Sequence, residues 1–124
     1  QLLGDERYLR IAEGARDALA AIQSPEGGFP HQRDPAEGPS GHGSYDDGVT
    51  TGPIAFLVRM HDARPDDAAT LAALRKAGEF LLASQYPNGG FPQVYPLRSE
   101  GYSAYITFND HAMPNAVKAC LLLH

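Results

Sequence analysis

The chain has 124 residues, of which 43% are hydrophobic and 20% are charged, and its formal net charge is −5 at pH 7. This length allows one domain with a core of its own. No stretch concentrates Lys or Arg, which argues against a nucleic-acid partner or an anionic membrane surface. No apolar run approaches membrane-spanning length and no signal peptide is recognisable, so we expect no membrane association.

Apolar spacing predicts four helices, over about 5–23, 53–61 and 66–85 and from 110 onward. In the first helix the apolar residues recur at helical spacing and form one stripe. They are Tyr8, Ile11, Ala12, Ala15, Leu19 and Ile22. The last helix carries the single cysteine, Cys120, in an apolar run that predicts a buried thiol. No alternating strand is evident, although residues 101–108 could pair locally.

Two loops share one motif: QSPEGGFP begins at Gln23 and QYPNGGFP begins at Gln85, 62 positions later. Glycine can adopt the left-handed conformation that ends a helix, and proline prevents the helix from continuing. Helix termination therefore explains the first copy. The second copy adds aromatic, amide and guanidinium groups that suit a sugar or a carboxylate. These candidate substrate-binding residues are Tyr86, Gln93, Tyr95 and Arg98.

The acidic pairs extend the repeat, because Asn109-Asp110 follows Asp46-Asp47 by 63 positions, one more than the offset between the two loop motifs. Each half contains a helix, a loop, an acidic pair and a second helix, and such hairpins are expected to stack side by side. We therefore predict an all-α fold of tandem helical hairpins that form part of an α/α toroid, with long Gly/Pro-rich loops. A single partial domain would span 1–124, with repeats over about 5–62 and 66–124.

Helix capping is one interpretation of the acidic pairs. Asp110 or Asn109 could cap the last helix and Thr51 the second. Capping explains Asp46 and Asp47 less well, because they lie seven and six positions before the proline that opens the second predicted helix.

A metal site is the other interpretation. If the stacked hairpins place both acidic pairs at one end, their carboxylates would meet an Asn amide and Thr hydroxyls. Such oxygen donors suit Ca²⁺ better than Zn²⁺. The five histidines are scattered, which argues against a zinc site.

Four segments run through nearly the whole chain in a fixed order: QSPEGGFP, YDDGVTTGPIAFLVRMHDA, FLLASQYPNGGFPQVYPL and GYSAYITFNDHAM. Together they closely resemble the pectic acid lyases, polysaccharide lyase family ten. The resemblance implies a mainly helical α/α toroid and Ca²⁺-dependent β-elimination of polygalacturonate. It also implies a secreted or periplasmic location.

The resemblance assigns roles to individual positions. Asp46 looks like the first calcium-site aspartate, and Asp47 stands where that motif usually has Asn. Asp110 matches the second aspartate and Asn109 its neighbour. We therefore expect a Ca²⁺ site at the three aspartates, with Asn109 and Thr50 joining the second loop in binding the polymer. The cation would also allow an acidic protein to bind an acidic polysaccharide.

The family's proton acceptor is an arginine downstream of the Asn-Asp motif, and none of Arg33, Arg59 or Arg98 matches it. The sequence therefore predicts the N-terminal half of a pectate lyase, with no catalytic residue identified in the chain. A non-catalytic helical module that binds acidic polysaccharide is the main alternative, and a terpenoid-cyclase-like toroid protein is another. Self-association or a missing C-terminal half would cover the apolar helix faces.

Overall fold

The computed structural model describes residues 5–31, 41–98 and 101–124. In this part of the chain, the α-helices are α1 (Glu6–Ile22), α2 (Thr51–Ala63), α3 (Ala68–Ser84) and α4 (Ala112–Leu122). The all-α prediction is confirmed, and every predicted helix end lies within about two residues of the observed one. The toroid and the division into repeat units remain predictions. Arg33 and part of the first predicted loop lie outside the described residues.

The core forms where α3 and α4 pack against α2 and each other. Its aromatic centre is Tyr45, whose ring lies 5.4 Å from that of Phe80 and 5.5 Å from that of Phe91, measured between centroids. The buried residues of α4 are Ala112, Ala116 and Ala119, and small side chains allow close helix packing. Tyr45 also hydrogen-bonds Ser84 Oγ at 2.6 Å, so the residue before Asp46 is fixed in the core.

The two Gly-Gly-Phe-Pro loops have the same hydrogen bonds. In each, the residue after the glutamine donates its backbone N–H to the carbonyl of the second glycine at 2.8 Å. Each glutamine side chain donates to the carbonyl of the first glycine, at 2.8 Å in one loop and 3.1 Å in the other. Those first glycines, Gly27 and Gly89, have φ values of 100° and 86°, which glycine adopts most readily. The two loops that share the sequence motif therefore also share a local structure.

Two short strands, which the sequence did not predict, join the loops. β1 (Gly43–Ser44) pairs antiparallel with β2 (Val94–Tyr95), with Gly43 opposite Tyr95. The Tyr45 N–H continues the pairing by donating to the Gln93 carbonyl at 2.9 Å. Within residues 101–108, Tyr102–Ala104 form a 3-10 turn, and Ile106 makes an isolated bridge to Pro92, so the segment pairs locally at one position. The pairing fixes the chain on either side of Asp46.

The predicted burial of Cys120 is wrong, and the apolar stripe of α1 is largely exposed. No residue of α1 is buried, and Tyr8 and Ile11 are 58% and 69% exposed. Only the C-terminal end of the stripe, through Leu19 and Ile22, packs against the core. Cys120 is exposed, because α4 buries a narrow face made of alanines. None of the helices in the described segments is long and apolar enough to cross a membrane.

Asp67 connects α1 to the start of α3. Its carboxylate accepts the Ala69 and Thr70 backbone N–H groups at 3.1 and 3.4 Å. It also accepts the Thr70 hydroxyl at 2.8 Å and an Arg16 N–H at 2.5 Å. The Thr70 hydroxyl, followed by Arg16, lowers the pKa of Asp67 to about 2.

We expect Asp67→Ala to lower the free energy of unfolding by about 2 kcal/mol near neutral pH, because a helix cap and an ion pair are lost together. Since the folded pKa is depressed, this contribution is present above the ordinary value of 3.8 and is lost as pH falls through about 2. Urea titrations at pH 6 and pH 2.5 measure both effects. The neighbouring Asp66→Ala is the control, and an equal loss in both variants would contradict the prediction.

Candidate metal centre and adjoining cleft

Each acidic pair lies in a short 3-10 turn. The first turn lies shortly before α2, and the second lies directly before α4. One turn spans Asp46–Gly48 and the other Asn109–His111, and the two turns contact each other. Asp47 and Asp110, which are equivalent in the repeat, have φ values of 46° and 47°. Left-handed backbone is uncommon in residues other than glycine and often marks a functional constraint. The matching left-handed conformation of these two residues makes their carboxylates candidates for a functional role.

The three aspartates that the sequence singled out lie together. One carboxylate oxygen from each of Asp46, Asp47 and Asp110 falls within 4.8 Å of the others. Calcium binds oxygen at about 2.3–2.6 Å, so two ligands on opposite sides of one ion are separated by about this span. Asp46 is half-buried, whereas Asp47 and Asp110 are exposed. The cluster therefore has dimensions that one cation could bridge.

Of the two carboxylate oxygens of Asp46, only Oδ2 accepts a hydrogen bond within the described residues. Gln93 Nε2 donates to its Oδ2 at 2.8 Å, and the Asp46 backbone N–H donates to Ser44 Oγ at 3.1 Å. Its Oδ1 is buried and has no hydrogen-bond partner among the described residues. An unpartnered buried carboxylate oxygen is costly, and a cation among the three aspartates would offset that cost.

The charges in this cluster oppose one another. Desolvation by neighbouring atoms, together with the negative charges of Asp46 and Asp47, raises the pKa of Asp110 above its ordinary value. His31 Nε2 lies 3.3 Å from Asp47 Oδ2, on the side of the first repeated loop. Like charges at this distance destabilise each other, and a positive counter-ion would relieve that repulsion.

Neither helix start uses the predicted caps. His111 is the N-cap residue of α4 and Thr50 that of α2, and neither side chain makes a capping hydrogen bond. The Thr51 hydroxyl instead donates to the Asn115 carbonyl at 2.8 Å. Asn115 Nδ2 in turn donates to the Tyr45 carbonyl at 2.9 Å. The capping interpretation is therefore wrong, and these contacts tie α4 to the Asp46 turn.

Three of the candidate substrate-binding residues contact other parts of the protein. Thr50 is completely buried, and its hydroxyl bonds both the N–H and the carbonyl of Phe29. The Tyr86 hydroxyl donates to the Ala104 carbonyl. The Tyr95 ring meets Phe80 edge-on at 5.9 Å. These contacts within the protein indicate that the three side chains stabilise the loops. Contact of the same side chains with a polymer stays a prediction.

The other candidates lie close to the aspartates. Asn109 is exposed, and its Nδ2 donates to Asp110 Oδ2. Gln93 is 4% exposed and holds Asp46, as described above. Arg98 is exposed and, together with Gln93 and Asp46, lines an open cleft of about 420 Å³.

The cleft includes residues that the sequence did not single out. Besides those three, its wall contains Pro30, His31, His42, Ser44, Val94, Gly101, Tyr102 and Ser103. They come from three separate stretches of the chain, which β1 and β2 bring together. His31 directly follows the first Gly-Gly-Phe-Pro motif, and that adjacency was the available sequence signal. Nothing in the local sequence distinguishes Ser103.

Comparison with known proteins gives a consistent result. The family model described as pectic acid lyase matches residues 31–122. A family 10 polysaccharide lyase from Cellvibrio cellulosa is 33% identical and has a TM-score of 0.68, with 90% of this chain and 37% of that chain covered. A mutant of that lyase in complex with trigalacturonic acid is 31% identical, with a TM-score of 0.69 and coverage of 91% and 38%.

No curated protein matches the sequence. The chain spans a little over a third of the length of the two solved structures. The family match covers most of the chain and includes both acidic turns and the second repeated loop. The chain therefore belongs to the pectic acid lyase family.

Proposed function

We propose that the chain forms part of a Ca²⁺-dependent pectate lyase that cleaves polygalacturonate by β-elimination. Family membership supports pectate lyase-like function. The observation that carries the calcium proposal is the convergence of three aspartates from two repeats within 4.8 Å. The proposed ligands are Asp46, Asp47 and Asp110. A secreted or periplasmic location is proposed on the same family grounds.

The residues of the chain would have distinct roles. A bound Ca²⁺ would pair with a uronate carboxylate and stabilise the negative charge that develops when the neighbouring proton is removed. Asp46 would be oriented for this site by the Gln93 amide. Asn109 would orient Asp110 through its side-chain amide. We assign no catalytic base, since no arginine in the sequence matches the family motif.

Calcium binding tests the site directly. Titration calorimetry of the wild-type protein should detect one Ca²⁺ site, and Asp46→Ala should weaken it at least about tenfold because a carboxylate ligand is lost. Asp62→Ala removes an exposed acid from α2 and should leave the affinity unchanged. Equal affinities in all three proteins would rule out Asp46 as a ligand.

Lyase activity is tested separately. Polygalacturonate is incubated with the protein and Ca²⁺, and the unsaturated product is followed by its ultraviolet absorbance. Product formation that a chelator abolishes would support catalysis by this chain. Ca²⁺-dependent binding of the polymer without product would favour the alternative of a non-catalytic polysaccharide-binding module. Two observations support that alternative. Arg98 lines the open cleft, and no residue of the chain is assigned as the catalytic base.

A further inference from the structure

We propose that Asn115 is a positioning residue for the proposed Ca²⁺ site. Its side-chain amide binds no ion and instead sets where Asp110 lies relative to Asp46. The inference rests on the proposed function for the identity of the ion. It goes further by making the affinity of the site depend on a residue outside the cluster of three aspartates.

Asn115 lies on the element that carries Asp110. It belongs to the first turn of α4, and α4 begins directly after the Asn109–His111 turn and contacts it. Backbone hydrogen bonds fix the residues of a helix relative to one another. A contact that holds the Asn115 side chain therefore also holds the start of α4 and the acidic turn attached to it.

The Asn115 amide reaches the other acidic turn. Its Nδ2 donates to the Tyr45 carbonyl at 2.9 Å, which belongs to the peptide group that leads into Asp46. The same amide is what a Cβ atom at Gly48 would meet first, with Oδ1 at 3.8 Å. Because Gly48 ends the turn that Asp46 begins, one amide lies beside both ends of that turn.

Tyr45 is itself fixed in place. It is completely buried, its hydroxyl is bonded to Ser84 Oγ at 2.6 Å, and its N–H donates to the Gln93 carbonyl at 2.9 Å. Asp46, the next residue, accepts a hydrogen bond from the Gln93 amide. The first acidic turn therefore has a fixed position, to which the Asn115 amide attaches α4.

The turn that carries Asp110 is held less firmly. All three of its residues are exposed, and no side chain caps the start of α4. The Asp110 carboxylate accepts a hydrogen bond from Asn109, within the same turn, and it is repelled by the charges of Asp46 and Asp47. Without the amide, we expect this turn to move away from the other two aspartates.

The amide is not required to form a turn of this kind. Gly52 lies 63 positions before Asn115 and is its equivalent in the first predicted repeat. A Cβ atom at Gly52 would have no neighbour within 4 Å. Yet both acidic turns contain two consecutive left-handed residues, with φ values of 46° and 74° in the first and 47° and 60° in the second. The contribution of Asn115 is therefore the link between the turns.

A second hydrogen bond to Asn115 provides a matched comparison. The hydroxyl of Thr51, a buried residue, donates to the Asn115 carbonyl at 2.8 Å. This bond joins the start of α2 to α4 and does not reach the peptide group before Asp46. Each of the two side chains therefore supplies one partly buried hydrogen bond to another element, and only the Asn115 amide supplies the bond to Tyr45.

The test measures Ca²⁺ affinity by titration calorimetry in the wild-type protein, Asn115→Leu and Thr51→Val. Leucine has nearly the shape of asparagine and cannot donate a hydrogen bond. Asn115→Leu should weaken Ca²⁺ binding at least about fivefold, because the three carboxylates no longer meet at one ion. Thr51→Val should change the affinity less than about twofold. The Tm of both calcium-free variants should fall by a similar amount, about 5 °C, because each loses one hydrogen bond.

Eu³⁺ luminescence supplies a readout that a loss of stability alone would not change. Eu³⁺ is close to Ca²⁺ in size and also prefers oxygen ligands, and its lifetimes in H₂O and D₂O give the number of water molecules bound to it. Water replaces a carboxylate that no longer reaches the ion. Below the Tm of each protein, Asn115→Leu should carry about one more bound water than the wild type, and Thr51→Val should match the wild type.

Three results would overturn the positioning role: wild-type affinity in Asn115→Leu, equal losses in Asn115→Leu and Thr51→Val, or an unchanged number of bound waters in Asn115→Leu. Asn115→Ala is measured in parallel, because it removes the amide without adding apolar surface, and it should give the same result. If only the positioning role is wrong, the wild-type protein binds Ca²⁺, Asp46→Ala does not, and both Asn115 variants bind it normally. A wild-type protein that binds no Ca²⁺ would overturn the calcium site and the positioning role together.

Discussion

Replacing Asp110 with asparagine is expected to stabilise the calcium-free protein and to abolish its stabilisation by calcium. Asn has nearly the same shape as Asp and removes one of three clustered negative charges. The raised pKa of Asp110 reflects desolvation by its neighbours first and then the charges of Asp46 and Asp47. The calcium-free fold should therefore tolerate the neutral side chain better than the carboxylate. The site loses a ligand in the same substitution.

Thermal melting with and without Ca²⁺ measures both effects. At a Ca²⁺ concentration of one hundred times the dissociation constant, binding stabilises a native protein by about 2.7 kcal/mol. For a chain of this length that is a Tm increase on the order of 10 °C. The wild-type protein should show this increase and Asp110→Asn should show almost none.

The pH dependence of the calcium-free protein follows from the same residue. Because the folded pKa of Asp110 is raised, the folded state binds this proton more tightly than the unfolded state does. Stability is therefore lost as pH rises from the ordinary value of 3.8 through the raised folded value. Asp110→Asn should remove this decline, and Asp62→Asn should not. A calcium-free Asp110→Asn protein that is less stable and still responds to Ca²⁺ would contradict the site.

The second large effect is expected at Gly28, where the first repeated loop packs against β1 and the Phe80 ring. A Cβ atom at this position would lie 2.5 Å from the Phe80 ring and 2.7 Å from the Gly43 backbone. Phe80 is completely buried, and the facing strand is paired to β2, so neither neighbour can move freely. We expect Gly28→Ala to lower the free energy of unfolding by about 3 kcal/mol, as severe overpacking does. Urea-induced unfolding provides the measurement.

Gly14→Ala is the control for that substitution. A Cβ at Gly14 has no neighbour within 4 Å, and alanine favours a helix over glycine by up to about 1 kcal/mol. The two Gly→Ala changes should therefore have opposite signs. Similar effects from both would show that the contact between Gly28 and Gly43 does not limit stability. Gly28→Ala should also weaken Ca²⁺ binding, because β1 leads directly to Asp46.

The parts of the fold that the sequence predicted are those with a local or repeated signal. Helical spacing of apolar residues located all four helices, and the second Gly-Gly-Phe-Pro copy predicted a loop that proved to have the same hydrogen bonds as the first. The alignment of Asp47 with Asp110 indicated their shared environment, which the matching φ values reflect.

Burial was harder to predict, because it depends on what other elements cover a surface. Tyr8 and Ile11 have the spacing of a core stripe, yet no described element lies over them to remove them from water. Cys120 lies in an apolar run, but close packing of α4 uses its alanine face instead. An amphipathic pattern shows that a surface could be buried and not how much of it a given chain buries.

The cleft could not be predicted for a related reason. Its wall combines residues from three stretches that are distant in the sequence, and two-residue strands bring them together. Strands this short have no alternation to detect. Their residue types make Arg98 and Gln93 candidates in the sequence, whereas nothing in the local sequence distinguishes Tyr102, which lines the same cleft.

The acidic turns belong to different predicted repeats, and this division has a thermodynamic consequence. The first repeat supplies Asp46 and Asp47, the second supplies Asp110, and neither would bring all three carboxylates together alone. Any ion bound by all three also links the halves of the chain, so its binding energy adds to their association. The covalent connection between α2 and α3 sets the effective concentration at which the two partial sites meet. Calcium affinity would therefore report how well the two repeats are docked, even for substitutions far from every aspartate.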